Sequence, residues 1–170
     1  MTTKGNSSSQ AATTTGAPRK PPKSLFKYGV NPLLGLLLRS PLHGRVSHAL
    51  LLLTFKGRTS GKTYTTPVGY HRAGENILLF THSAWWKNFV GGAPVTMLLE
   101  GKEVQGRAEA SRDPDAILAE VEPLVRKYGA KQARRMALTL DPNREPTTEE
   151  LRAAIADQGL VMVHIQPQGS

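Results

Sequence analysis

Strand-length segments separated by glycine-containing turns occupy residues 49–111, and they limit the folds open to this chain. The segments are short, and most of them are either apolar or rich in Thr, Val and Tyr, as strands in small sheets are. The segments are residues 49–56, 63–72, 77–82, 95–100 and 102–111, followed later by 160–165. Five or six strands at this spacing predict a small antiparallel barrel or sandwich and exclude alternating βαβ units.

A proline and a glycine pair interrupt the strand pattern. Pro67 falls inside the second segment, and because proline cannot donate to a sheet ladder, this strand is predicted to lie at an edge or to carry a bulge. Ser83 is a typical N-cap residue before AWWKNFV, and Gly91 with Gly92 is typical of a helix end. A short helical turn is therefore predicted over residues 84–90.

The last third of the chain carries helix signals. Asp113 followed by Pro114 is typical of an N-cap with proline at the first helical position, and the apolar residues after them share one stripe. Thr147 or Thr148 with Glu150 predicts a capping box at the start of another helix. The chain is thus predicted to have an α+β fold, mainly β, with flanking helices.

The N-terminal part divides into a polar tail and an apolar segment. Residues 1–23 are rich in Ser, Thr, Gly and Pro and are predicted to be a disordered basic tail. Residues 24–39 mix leucines with a few cations, and helices are predicted over residues 32–39 and 41–48. These helices either cover the core of a single domain that spans residues 24–166 or form an amphipathic segment at a membrane surface.

The chain has no cysteine, no secretory signal and no apolar run long enough to span a membrane. The absence of cysteine excludes disulfides, iron–sulfur clusters, thiolate zinc sites and a cysteine nucleophile. We therefore expect a cytoplasmic protein. The alternative is peripheral contact with the inner membrane face through residues 24–39.

Basic residues are concentrated in the front half of the chain. Residues 1–74 contain 11 Lys and Arg and no acidic residue, whereas residues 75–170 contain the other 11 against all 13 acidic residues, a net charge of −2. This distribution favours an anionic cofactor, an anionic membrane or a nucleic acid as partner. A nucleic acid is disfavoured because the chain lacks a zinc module, stacking strands and a helix-turn-helix with polar recognition residues.

Residues 57–63 (GRTSGKT) form a glycine-flanked turn with the composition of a phosphate loop. It is not a Walker A motif, because Gly57 and Gly61 enclose only three residues and the turn joins two strands. Its backbone amides, its two cations and the hydroxyls of Thr59 and Ser60 suit an anion. An ordinary solvated hairpin explains the same residues equally well.

Trp85 and Trp86 are the two tryptophans of the chain. Neighbouring helical positions point about 100° apart, so one indole is expected to face the core and the other a pocket or an interface. The five histidines show no metal-ligand spacing, and neither a Ser–His–acid set nor a pair of catalytic carboxylates can be argued. We therefore predict no metal site and no catalytic residue, and a hydrolase is disfavoured.

Three stretches of the chain resemble the deazaflavin-dependent nitroreductase and quinone reductase family: LLTFKGRTSGKTYTTPVGYHRAGENILLF, WWKNF and VTMLLEGKEVQGRAEA. The resemblance covers roughly residues 48–112, and it is carried mainly by the G-R-x-S-G hairpin together with W-W-x-N. This chain differs in having Thr59 where members often carry Lys, and in a shorter loop before Trp85. The resemblance implies a split antiparallel β-barrel with flanking helices and coenzyme F420 as the cofactor.

The resemblance also implies a role for each matching position. Arg58, Thr59 and Ser60 would hold the phosphate of the cofactor, and the strand from Tyr64 to Gly69 would lie along its deazaflavin ring. The end of the next strand would continue this pocket, and the tryptophan turn would close it. The implied cofactor-binding residues are Arg58, Thr59, Ser60, Tyr64, Thr65, Thr66, Pro67, Val68, Gly69, Phe80, Thr81, His82, Ser83, Trp85, Trp86 and Asn88.

The reaction implied by the resemblance is hydride transfer from reduced F420 to a small-molecule acceptor, such as a quinone or a nitro compound. Tyr70 and Tyr128 are candidates for giving a proton to the reduced acceptor. One alternative is an FMN-dependent oxidoreductase on the same barrel. Another is a non-catalytic barrel that binds a lipid or other hydrophobic ligand. A homodimer is also open, since split barrels often pair.

Overall fold

The computed structural model describes residues 50–168, which form one antiparallel sheet, two α-helices and two 3-10 helices. The strands are β1 (Leu50–Lys56), β2 (Thr63–Gly69), β3 (His71–Ala73), β4 (Asn76–Thr81), β5 (Ala93–Leu99), β6 (Lys102–Ser111) and β7 (Val161–Pro167). They lie side by side in the order β2-β1-β5-β6-β7-β4-β3. The helices are α1 (Pro114–Tyr128), α2 (Thr148–Asp157) and the 3-10 helices Ala84–Phe89 and Ala130–Met136.

The sheet curls into a barrel because its two edge strands are consecutive in the chain. β2 ends at Gly69 and β3 begins at His71, so Tyr70 alone separates strands that form opposite edges of the sheet. A sheet whose edges are joined by one residue must bend round until those edges meet. Tyr70 is buried in the barrel core together with Leu99.

Hydrophobic side chains fill two layers, one inside the barrel and one between the sheet and the helices. β4 shows the division, because successive side chains on a strand point to opposite faces. Ile77 and Leu79 lie in the barrel core. Leu78 and Phe80 lie in the layer beneath the helices.

The helices of the outer layer begin at the residues that the sequence predicts. The Asp113 carboxylate accepts a hydrogen bond of 3.0 Å from the backbone N–H of Asp115, which caps α1. α2 begins with a full capping box, in which Thr147 and Glu150 each bind the backbone N–H of the other. The buried residues of the two helices are Ile117, Val121, Val125, Leu151 and Ile155.

The barrel has two distinct ends. At the hairpin end, Lys56 pairs with Thr63 across the first hairpin, and the 3-10 helix Ala84–Phe89 follows the last residue of β4. At the Tyr70 end, Leu50 pairs with Gly69 beside the bend between β2 and β3. Seven-residue strands separate these ends by roughly 20 Å.

The predicted fold class, a mainly β, split antiparallel barrel with flanking helices, is confirmed. Pro67 lies in the edge strand β2, as its missing N–H requires. The prediction of one strand over residues 63–72 is wrong, because the chain bends at Tyr70 to pass from one edge of the sheet to the other. This bend raises the strand count to seven.

The turn after β4 is helical, as predicted, but it is a 3-10 helix, and Ser83 at its N-cap makes no side-chain cap bond. The backbone N–H of Ser83 instead donates to Oγ1 of Thr81, at 3.0 Å. The predictions for residues 1–23, 24–39, 32–39 and 41–48 lie outside the described residues. Within residues 50–168, no helix has the length and apolar character needed to cross a membrane.

Candidate functional site

A cavity of about 330 Å³ lies at the hairpin end of the barrel. Its wall combines the glycine-flanked loop after β1, the first residues of β2 and the tryptophan turn. The lining residues are Phe55, Gly57, Thr59, Ser60, Tyr64, Trp85 and Asn88. Five of them belong to the set that the resemblance implies, so two motifs that lie 25 residues apart in sequence meet at one site.

The loop between β1 and β2 is held by its own backbone. The N–H of Gly57 donates to the carbonyl of Lys62, and the N–H of Gly61 donates to the carbonyl of Gly57, both at 2.8 Å. A Cβ at position 57 would lie 2.6 Å from both Ser60 Oγ and Tyr64 Cε2. Glycine is therefore needed at position 57 for Ser60 and Tyr64 to approach each other, and their hydroxyls lie 3.1 Å apart.

Asn88 connects the tryptophan turn to this loop. Its Oδ1 accepts a hydrogen bond of 2.8 Å from the backbone N–H of Arg58, and its Nδ2 donates to the carbonyl of Trp85, also at 2.8 Å. One side chain thus fixes the distance between the two walls of the cavity. The residues that it joins, Arg58 and Asn88, are 30 positions apart in the chain.

Aromatic rings form the floor of the cavity. Phe55 is stacked on Tyr64 with ring centroids 5.8 Å apart, and it lies 6.2 Å from Trp85. Phe89, which is fully buried, packs edge-on against both Phe55 and Trp85. Rings held on several sides have little freedom to move, so the cavity keeps a flat, apolar surface.

The rim of the cavity is polar and cationic. Thr59 and Ser60 are exposed, and the guanidinium of Arg58 reaches the carbonyl of Val90 at 3.5 Å. Within residues 50–168, the recorded ion pairs engage Arg72, Arg126, Arg144 and Arg152, none of which lines this cavity. Arg58 does not itself line the cavity but is next to Thr59 on the same loop. Hydroxyls at the rim, a guanidinium beside it and an aromatic floor are chemically suited to a planar ring that carries a phosphate.

The two tryptophans occupy different environments. Both are half-buried against the barrel core, but only Trp85 lines the cavity. Trp86 lies beneath the guanidinium of Arg112, whose central carbon is 5.6 Å from the indole ring. Trp85 therefore lies at the cavity as one indole was predicted to, but the prediction that only the other indole faces the core is not met, since both pack partly against it.

β2 leads from this cavity toward the Tyr70 end, with its side chains on alternate faces. Tyr64 and Val68 pack against the barrel core, with Thr66 on the same face by alternation. On the other face, Thr65 Oγ1 lies 2.9 Å from Thr54 Oγ1. Pro67 and Gly69 share that face by alternation. Only Tyr64 of the residues predicted on this strand lines the cavity at the hairpin end.

The residues predicted at the end of β4 lie away from the cavity. Phe80 is buried in the helix-facing layer, and Thr81 is also buried. Nε2 of His82 lies 2.6 Å from the carbonyl of Ala137, beyond the second 3-10 helix. The structure thus brings Thr59, Ser60, Tyr64, Trp85 and Asn88 together at the cavity. Arg58 and Trp86 lie in the same loop and turn without lining it, and Phe80, Thr81, His82 and Ser83 are also outside its lining.

A second and larger cavity, of about 870 Å³, opens at the Tyr70 end. It contains both candidate proton donors, Tyr70 and Tyr128, although they are far apart in sequence. The Tyr70 hydroxyl donates to Oε1 of Glu100 at 3.2 Å, and burial together with the Glu100 carboxylate raises the pKa of this phenol. Tyr70 therefore holds its proton firmly at neutral pH.

Four basic groups of this second cavity were missed by sequence reasoning: His71, Arg72, Lys127 and Arg135. Burial lowers the pKa of His71 below its usual 6.5, and the positive charge of Arg135 acts in the same direction. The sequence carried a signal, since residues 130–138 are rich in Lys and Arg, but nothing local indicates that they face β3.

Comparison with known proteins gives likenesses of fold only. The chain matches no protein-family profile and no curated protein sequence. Solved structures similar to it include a putative pyridoxamine 5'-phosphate oxidase from Listeria innocua, at 11% identity over 81% of this chain and 92% of that chain, with a TM-score of 0.45.

Two further structures are an F420 reductase and an FAD and heme binding protein from Mycobacterium smegmatis. The first is 16% identical over 79% of this chain and 92% of that chain, with a TM-score of 0.41. The second is 18% identical over 77% of this chain and 67% of that chain, also with a TM-score of 0.41. At such values these likenesses carry no argument about cofactor or reaction.

Among the described residues, no cluster of three or more metal-ligating side chains occurs.

Proposed function

We propose that this chain is a deazaflavin-dependent oxidoreductase, which binds coenzyme F420 at the hairpin end and passes a hydride from it to a quinone, a nitro compound or a similar small acceptor. The observation that carries this proposal is the hydrogen bond from the backbone N–H of Arg58 to Asn88. It joins the G-R-x-S-G loop to the W-W-x-N turn. Those are the two motifs on which the family resemblance rests.

The residues present are suited to one part of such a cofactor. The hydroxyls of Thr59 and Ser60 and the guanidinium of Arg58 supply donors for a phosphate. Phe55 and Trp85 supply flat apolar surfaces. A volume of 330 Å³ is at the small end for a ligand pocket, so it accommodates a portion of a large cofactor, with the rest outside the cavity.

When bound, the reduced cofactor supplies the hydride chemistry. The chain's own residues bind, orient and exclude water. Asn88 holds the loop and the tryptophan turn at a fixed separation, which positions the hydroxyls of the rim before a ligand arrives. Tyr70 lies at the other end of β2, roughly 20 Å from this cavity, so its phenol does not reach an acceptor that takes its hydride at the hairpin end.

The test is a titration of the full chain with F420, followed by tryptophan fluorescence. Trp85→Phe should remove most of the quenching, because Trp85 lines the cavity, while Trp86→Phe should retain it. Quenching should be saturable and should weaken with added salt, since contacts between charged groups near the surface are screened.

Arg58→Gln should weaken F420 binding by about 10- to 100-fold, the range for loss of a charge-assisted hydrogen bond. Lys102→Gln removes the same charge at the opposite end of the barrel and should leave the affinity unchanged. No quenching of a folded protein would overturn the assignment of F420. Saturable quenching by FMN or FAD, with none by F420, would show that the site binds a flavin instead.

A further inference from the structure

The cavity at the Tyr70 end is built from parts of the chain that the hairpin-end site does not use. Its walls come from β1, from the bend between β2 and β3, from α1 and from the 3-10 helix Ala130–Met136. With about 870 Å³, it has the size of a pocket for a complete small molecule. It is also some 20 Å from the hairpin end, because the length of β1 separates the two.

The charges in this cavity are mostly positive. Arg72, Lys127 and Arg135 line it, against the single carboxylate of Glu100. That carboxylate is already engaged, since its Oε1 lies 3.2 Å from Nη2 of Arg72 and accepts the hydrogen bond of Tyr70. The cavity therefore has a net charge of about +2 when His71 is neutral.

Lys127 and Arg135 differ from three arginines of the helical layer, although Lys131 and Arg134 are likewise in none of the ion pairs within residues 50–168. On the outer surface of the helices, arginines are matched by carboxylates at 2.7 to 2.8 Å. Those pairs are Arg126 with Glu145, Arg144 with Glu150 and Arg152 with Asp115. Among residues 50–168, no recorded ion pair contains Lys127 or Arg135.

Apolar side chains line the same cavity as these cations. Leu50, Leu124 and Met136 line it, together with the ring of Tyr128, which is 53% exposed. The ammonium group of Lys127 lies 5.1 Å from the centroid of that ring, which places charge and apolar surface side by side. A purely inorganic anion would leave this apolar wall in contact with water, and a neutral lipid would leave the cations without a counter-charge.

We propose that the cavity at the Tyr70 end binds an amphipathic organic anion, with its acidic group between Lys127 and Arg135 and its apolar body against Leu124, Met136 and Tyr128. Its lining shares no residue with the cavity at the hairpin end, although Gly69 also belongs to the cofactor-binding set that the resemblance implies. An aryl or alkyl carboxylate of moderate size has the required chemistry.

The proposal is tested by calorimetric titration of the full chain with 1-naphthaleneacetate and, separately, with its neutral amide. We expect the carboxylate to bind at least about 10-fold more tightly, because only it can form charge-assisted hydrogen bonds with both cations. Lys127→Gln and Arg135→Gln should each weaken carboxylate binding by about 5- to 30-fold and change amide binding less than about twofold.

Arg134→Gln is the matched control, because Arg134 lies on the same 3-10 helix and is exposed but does not line the cavity. It should leave both affinities unchanged. Equal binding of acid and amide, or an equal effect of Arg134→Gln and Arg135→Gln, would reduce the site to general surface charge and overturn the proposal. Absence of carboxylate binding in variants and wild type that are shown to be folded would overturn it as well.

Discussion

At the scale of single residues, the hairpin-end site depends on a few side chains and glycines that hold two loops together. Asn88 accepts the hydrogen bond from Arg58 that joins the loop after β1 to the tryptophan turn, and it donates a second one to Trp85 within the turn. Gly57 leaves the space in which Ser60 and Tyr64 approach. At Gly92 the φ of +82° favours glycine, and a Cβ there would also displace the guanidinium of Arg107.

Asn88→Ala should lower the free energy of unfolding by about 1–3 kcal/mol, because it leaves two backbone groups without their partner. It should also weaken F420 binding, since the loop is no longer fixed to the turn. Urea unfolding followed by circular dichroism measures the first effect, and the fluorescence titration measures the second.

Asn143→Ala is the control for this variant, because Asn143 is exposed in the loop before α2. Its free energy of unfolding should stay within about 0.5 kcal/mol of wild type. If Asn88→Ala were as stable as Asn143→Ala, the connection between loop and turn would not hold the site.

At the scale of elements, the start of α2 shows how local sequence fixes a boundary. The Glu150 carboxylate binds the backbone N–H of Thr147 at 2.9 Å and both terminal nitrogens of Arg144 at 2.7 Å. The Arg144 guanidinium and this backbone bond lower the pKa of Glu150 to about 2. The folded state therefore binds the proton of Glu150 less readily than the unfolded chain does.

This difference in pKa predicts a pH dependence. The stabilisation from Glu150 is complete above pH 4.5, its ordinary pKa, and is lost as the pH falls toward 2, because the unfolded chain takes up the proton first. Glu150→Gln should therefore show a smaller loss of stability between pH 4.5 and 2 than wild type.

Thermal unfolding at several pH values in low salt measures this slope, since an exposed ion pair is screened at high salt. Glu149→Gln is the control at the neighbouring exposed position and should keep the wild-type slope. An unchanged slope in Glu150→Gln would contradict the assignment of the acid response to the capping box.

At the scale of the whole molecule, one buried residue joins the two edges of the sheet. Tyr70 lies between β2 and β3, its ring is in the barrel core, and its hydroxyl reaches Glu100 after β5. The same residue separates the barrel core from the cavity at the Tyr70 end. Closure of the barrel and the shape of that cavity therefore both depend on Tyr70.

Tyr70→Ala should lower the free energy of unfolding by about 3–5 kcal/mol, the range for removing a buried aromatic ring. Tyr128→Ala makes the same change at a ring that is 53% exposed and should cost at most about 0.5 kcal/mol. Urea unfolding compares the two variants.

Tyr70→Phe keeps the ring and removes only the hydroxyl, so it should cost about 0.5–1.5 kcal/mol and gives a measurable protein if the alanine variant does not fold. If Tyr70→Ala and Tyr128→Ala lowered the free energy of unfolding equally, the buried ring of Tyr70 would have no special role in closing the barrel.

Much of the secondary structure was predictable because its signals are local. Strand β6 has the predicted bounds, Lys102–Ser111, and helix α1 begins at the predicted Pro114. The edge position of β2 followed from Pro67, since one missing donor excludes a central strand. The division of residues 63–72 was not predictable, because alternation continues on both sides of Tyr70.

The sequence by itself determined most of the strands and both α-helices of the described residues, and the family resemblance implied that the hairpin loop and the tryptophan turn contribute to one site. The tertiary structure alone decided that Asn88 joins them, that Phe80 and His82 lie elsewhere, and that Lys127 and Arg135 face the same cavity as Tyr70. The physical reason is range. Propensity, capping and alternation act over a few neighbouring residues, whereas these contacts depend on how the sheet closes and where the helices pack upon it.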